Sequence, residues 1–218
     1  MLLLALDTST SAITVALHDG TSVLAQASTL DARAHGERLA PGIRDVLAAA
    51  GATPGELTHI VCGLGPGPFT GLRVGIVTAR VLSLVAGAAL RGVCSLDALA
   101  AAGPAGEVLV ASDARRKEVY WARYAVSPGS VRALTPPAVA RPADLPESVR
   151  ALPTVGRGPV LYPDLFENPV GVLDVDAATL AALAVARLAA GEPLAGREPL
   201  YLRRPDAAPN VVAKSALG

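Results

Sequence analysis

The segment Gly63-Leu64-Gly65-Pro66-Gly67-Pro68-Phe69-Thr70-Gly71-Leu72-Arg73-Val74-Gly75 constrains this chain more tightly than any other. An apolar run, His59 to Leu64, precedes it and reads as a strand. A second run, Gly71 to Ala88, follows and is long enough for a helix of about five turns. Glycine opens backbone conformations closed to other residues and proline fixes φ, so their alternation sets a sharp strand-to-helix turn. No Lys-Ser/Thr follows the last glycine, so this is not a Walker phosphate loop. Position 70 is Thr, so it is not a GxGxxG dinucleotide fingerprint either. Gly71, Gly75, Ala79 and Ser83 recur at four-residue spacing, a ridge of small side chains that lets another element approach closely. That neighbour is either part of the same chain or a partner subunit.

The residues before this loop read as three antiparallel strands and a helix. Leu2 to Leu6 is a continuous apolar run, as a doubly buried strand requires. Asp7 to Ser11 is a turn of short polar residues. Ala12 to His18 alternates in polarity, Asp19-Gly20 signals a hairpin, and Ser22 to Ser28 forms the third strand. From His35 to Ala50, the positions Leu39, Ile43, Val46 and Leu47 recur at helical spacing, with Pro41 either in the first turn or at a kink. Thr53-Pro54 opens one short turn. After the loop and its helix come a strand, Leu90 to Cys94, and a helix, Leu96 to Ala102, capped by Ser95. The first lobe, β-β-β-α-β-α-β, therefore spans 1–103. A second lobe, 104–218, opens in the same way: an apolar strand Glu107 to Ser112, a polar turn Asp113 to Lys117, and a strand Glu118 to Val126. Ser127 to Pro153 is Pro-rich with no clear period. Leu152 to Gly156 reads as a strand and Ala177 to Ala190 as an Ala/Leu helix, with a loose tail from about 205.

Composition excludes several classes. The 218 residues are 51% hydrophobic and only 3% aromatic, so the core is built from Ala, Val and Leu. Nineteen basic residues balance nineteen acidic ones, and there is no polybasic run to hold nucleic acid tightly. No membrane span is expected: the most apolar stretch, Val74 to Leu90, is broken by Arg80. Met1 to Leu6 has no preceding basic region and is no signal peptide. Two cysteines, Cys62 and Cys94, form neither a disulfide framework nor a CxxC site, and a cytoplasmic protein with inert core thiols follows. No GxSxG or Ser/Cys-His pairing supplies protease chemistry. His35 is followed four residues on by Leu39, not by a second ligand, and His18 and His59 are isolated, so no metal or other cofactor is expected.

The motifs Asp7-Thr8-Ser9-Thr10, His35-Gly36-Glu37-Arg38-Leu39 and above all Gly65 to Gly75 resemble the TsaB (YeaZ) family, a subunit of the bacterial machinery that makes threonylcarbamoyladenosine in tRNA. The likeness extends to Asp113-Ala114-Arg115-Arg116-Lys117-Glu118-Val119-Tyr120 and Pro199-Leu200-Tyr201-Leu202-Arg203. One departure is Pro68, where the family usually has Ser. The resemblance implies a two-lobed α/β fold of the actin/hexokinase/Hsp70-like ATPase (ribonuclease H-like) kind. It also implies a non-catalytic scaffold, a pseudo-enzyme that binds and activates the transferase subunit TsaD. TsaE joins the assembly, tRNA is reached indirectly through the complex, and the isolated chain is a homodimer.

Two sets of residues carry these expectations. For the partner-binding helices they are His35, Leu39, Ile43, Leu47, Phe69, Leu72, Arg73, Gly75, Ile76 and Ala79. For a vestigial nucleotide site between the lobes they are Asp7, Thr8, Ser9, Asp113 and Arg115. Neither turn contains the glycine a close phosphate cradle needs, and Arg115, Arg116 and Lys117 are bulky. The rival enzyme readings are an ATP-dependent phosphotransferase or ATPase of the same fold, with Asp7 and Asp113 around a magnesium nucleotide, and a glycoprotease-like peptidase.

Overall fold

A computed structural model describes residues 1–31 and 35–203; the tail expected from about 205 lies outside the described residues. The first half comprises β1 (Leu3–Asp7), β2 (Ala12–His18), β3 (Val23–Leu30), α1 (His35–Ala49), β4 (His59–Gly63), α2 (Phe69–Ala86), β5 (Ala89–Val93) and α3 (Ser95–Ala101). The second comprises β6 (Gly106–Asp113), β7 (Val119–Ser127), β8 (Ser130–Ala133), β9 (Ala138–Ala140), α4 (Glu147–Arg150), β10 (Pro153–Val155), α5 (Gly158–Leu161), β11 (Asn168–Pro169) and α6 (Ala177–Ala189). The featureless Ser127 to Pro153 stretch thus supplies two short strands, a 3-10 turn (Pro142–Asp144) and one turn of α-helix. Pro41 lies within α1, in its second turn.

The sheets repeat one plan. The first runs β3-β2-β1-β4-β5, the second β11-β10-β6-β7-β8. In each, the opening strands are antiparallel, and the two strands on the far side of the first (β4 and β5; β10 and β11) run parallel to it. This duplicated arrangement is the two-lobed actin/hexokinase/Hsp70-like fold.

Every residue of β1 and β2 is buried, because helices cover both faces of the first sheet. The alternation of the strands sorts their side chains between two cores. Leu4, Leu6, Ile13, Val15 and Leu17 join Leu39, Ile43, Leu47, Leu72 and Ile76 beneath α1 and α2. Leu3 and Ala5 point the other way, into a core shared with Leu96 and Leu99 of α3, Leu180 and Leu183 of α6, and Val108, Val110 and Tyr124 of the second sheet. Small residues on that face, with Ala177, Ala181 and Ala184 of α6, bring helix and sheet close together, which is how a core nearly free of aromatics stays filled. The Thr14 hydroxyl accepts the Ala177 N–H at 3.0 Å. The helices α3 and α6 therefore fill the space between the sheets, and the halves on either side of residue 103 share one core.

The ridge of small residues on α2 meets this chain itself. Gly71 and Gly75 sit against Thr8, whose hydroxyl donates to the Gly71 carbonyl at 2.8 Å. A Cβ at Gly71 would lie 2.6 Å from the Thr8 carbonyl oxygen. Gly71→Ala is therefore expected to destabilise the protein by a net ~1–2 kcal/mol, overpacking outweighing the gain in helix propensity. Gly36→Ala, in open space at the start of α1, should be neutral or stabilising; thermal melts of both variants check this.

Candidate functional site

The turn after β1 is built around a carboxylate with no solvent exposure. Asp7 Oδ1 accepts the Ser9 N–H and hydroxyl, both at 2.7 Å, and Oδ2 accepts the Ser95 hydroxyl at 2.6 Å. Ser95 Oγ in turn accepts the Gly65 N–H at 3.0 Å, and a side chain at Gly63 would collide with the carboxylate. Burial pushes the Asp7 pKa up, against the opposing pull of the Ser95 and Ser9 hydrogen bonds. Asp7 thus fastens the β1 turn to the Gly/Pro loop and α3, and it offers no oxygen to a magnesium nucleotide. Thr8 is likewise buried, against α2. Of the five residues expected at a nucleotide site, Ser9, Asp113 and Arg115 line the cleft between the halves; Asp7 and Thr8 turn away from it.

The cleft holds about 140 Å³, well below the several hundred typical of drug-sized ligand pockets. Arg157 and Asp174, neither foreseen from sequence, line its second-half wall. Arg157 Nε and Nη2 donate to the two Asp174 oxygens at 2.8 and 2.6 Å, and Asp174 Oδ1 also accepts the Ser11 N–H at 3.2 Å. These bonds raise the Arg157 pKa. Asp174 thereby ties the first-half turn to the second half, with Arg157 bracing its carboxylate like a latch. His35 Nε2 lies 3.2 Å from the Thr10 carbonyl, fixing the start of α1 to the same turn. Among the described residues no cluster of three His, Cys, Asp or Glu is placed to hold a metal. On the far wall, Arg115, Arg116 and Lys117 are consecutive with φ of 60°, 52° and 61°. A left-handed conformation costs a non-glycine residue about 1 kcal/mol or more, so this turn is strained. The Asp113 carboxylate accepting the Arg115 N–H at 2.7 Å helps hold it.

The helix surfaces correct the expected contact residues. His35, Leu39, Ile43, Leu47, Leu72, Gly75, Ile76 and Ala79 are buried within the chain, because they form the inner faces of α1 and α2. The outer face of α2 carries Val77 (55% exposed), Val81 (54%), Leu84 (84%) and Val85 (76%). With Ala40, Ile43 and Leu82 these valines line an apolar groove of about 360 Å³ between the two helices. The sequence of α2 carries apolar residues on more than one face, the mark of a helix covered on more than one side, but does not say which face the sheet takes. It is long and apolar enough by composition to pass for a membrane span, yet one face packs on the sheet, and Arg80 Nη2 donates to the Arg197 carbonyl and Glu198. Phe69 and Arg73 stand at its N-terminal end. The Arg73 guanidinium lies 3.6 Å over the Phe69 ring, and Tyr201 packs on the same ring with centroids 5.2 Å apart.

Burial holds both thiols protonated. Cys62 is shifted far up, and Cys94 is pushed up to about 12 by burial and by Asp97. Neither should react with a thiol reagent at pH 8 until the protein is unfolded. Replacing Asp174 with Asn is expected to cost about 1–3 kcal/mol in urea unfolding, since Arg157 is then left partly buried with a poor partner. The double change Arg157→Met, Asp174→Leu should recover most of the loss.

A family model described as TsaD, tRNA N6-adenosine threonylcarbamoyltransferase, matches residues 23–154. An uncharacterized Mycobacterium tuberculosis protein is 41% identical, covering 96% of this chain and 95% of its own length. The tRNA threonylcarbamoyladenosine biosynthesis protein TsaB of Escherichia coli is 34% identical, with 93% and 95% covered. The solved structure of YeaZ from Pseudomonas aeruginosa superposes with a TM-score of 0.78 at 32% identity, over 92% of this chain and 99% of that one. Identity at this level, over most of the length of both proteins, places the chain in the TsaB (YeaZ) family of tRNA threonylcarbamoyladenosine biosynthesis proteins.

Proposed function

We propose that this chain is a non-catalytic subunit of the tRNA threonylcarbamoyladenosine machinery that docks on, and activates, the TsaD transferase through the outer face of α2 and the groove beside α1. The observation that carries this reading is the stripe Val77, Val81, Leu84 and Val85, four large apolar side chains more than half exposed on one helix face. Apolar side chains in such a row are covered in the working assembly. Burying them against helices of the partner holds that partner in one arrangement, and the pair then recruits TsaE and tRNA in the cytoplasm. Without the partner, the same stripe pairs two copies of this chain.

Leu84→Arg is expected to weaken partner binding by ~30-fold or more while leaving the melting temperature unchanged, since the side chain makes few contacts within the chain. Leu47→Arg places a charge in the core and should unfold the protein instead. Size-exclusion chromatography with light scattering, on the chain alone and mixed with its TsaD, reads both. Wild-type complex formation by Leu84→Arg overturns the surface assignment.

The committed Asp7 carboxylate, the small cleft and the Arg157–Asp174 latch all speak against phosphoryl transfer by this chain. Calorimetric titration with magnesium ATP should show no micromolar binding to the isolated protein. Micromolar binding that is lost in Asp113→Ala would favour the ATPase reading.

A further inference from the structure

We infer that the strained Arg115–Lys117 turn, together with the aromatic pocket beside it, is a contact surface for the phosphate backbone of RNA. The inference rests on the reading of this chain as part of a tRNA-modifying assembly. The whole chain has zero net charge, yet five cations converge here. Arg115, Arg116 and Arg203 line a pocket of about 200 Å³ with Gly67, Phe69 and Tyr201. Asp113 pairs with Arg115 and Glu118 with Arg203, while Lys117, exposed on the turn, and Arg73, over the Phe69 ring, add positive charge to the same surface.

The backbone gives an independent reason. All three residues at φ of 52–61° stand where glycine would be relaxed, and the chain carries Arg, Arg and Lys instead. Strain held in place on a cationic turn points to a use for the side chains themselves. Guanidinium forks match phosphate oxygens, and a half-exposed tyrosine beside a cation offers a stacking face to a base. An acidic peptide would need the cations alone. RNA uses both features.

The test is fluorescence polarisation with a labelled tRNA transcript over a range of salt, on the chain alone and on its assembly with TsaD. The double variant Arg116→Glu, Lys117→Glu should lose ~10-fold or more in affinity at 0.1 M salt. The slope of log affinity against log salt should fall by about one to two. Lys117→Gly should raise the melting temperature and still weaken RNA binding. The proposal is overturned if affinity and slope are unchanged in both settings. It is also overturned if Lys117→Gly stabilises with no loss of RNA, or if polyglutamate displaces the transcript as well as polyuridylate does. Failure to assemble with TsaD would count against the docking surface on α2, and the titration of the chain alone would still decide the RNA surface.

Discussion

Most of this structure hangs on one buried carboxylate. A charged group at zero exposure is tolerated only when its lone pairs are answered, and Asp7 receives the Ser9 N–H and two serine hydroxyls. Those donors come from the end of its own strand and from the first residue of α3, so one side chain fixes the relation between β1, the Gly/Pro loop and the helix between the sheets. The glycine at position 63 follows from it, since any Cβ there would meet the carboxylate. Ser9, Thr10 and Ser11 of the same turn face the cleft, while Asp7 is consumed in holding the chain together.

Thr8 extends this constraint to α2. Its hydroxyl seats the first turn of α2, and the Gly71, Gly75 and Ala79 ridge lets that helix lie close on the sheet. Inner packing of this kind fixes which residues are left outside. Val77, Val81, Leu84 and Val85 are exposed because the ridge on the opposite side is satisfied, so the exposed apolar face is a consequence of the core. The strap from Ala195 to Tyr201 braces the same helix and the loop before it. Gly92 N–H donates to Ala195, Leu200 N–H to Leu64, and Arg80 to Arg197.

Much of the fold was legible because periodicity records burial. Leu2 to Leu6 read as a doubly covered strand, and β1 is buried throughout. The repeat of strand, Asp turn and strand in the second half anticipated the duplicated sheet. Short elements without a period escaped: β8, β9 and α4 lie in the Pro-rich stretch where neighbours, not local pattern, decide the conformation. The site was less legible than the fold. Arg157 and Asp174 lie 17 residues apart, and Asp174 reaches the Ser11 turn only because the two halves close on one another. No spacing rule links residues brought together by tertiary closure.

The order of strands and helices in the first half, the sharp turn at Gly63 to Gly75 and the family to which the chain belongs follow from sequence, because these are properties of local stereochemistry and of a motif. Which side of each helix is free depends on how the chain packs in three dimensions. A helix apolar all round carries no mark in its sequence to say which stripe the sheet will take. That choice fell to the small residues, since only they allow the backbone of α2 to approach Thr8, and it left the large aliphatic side chains facing outward.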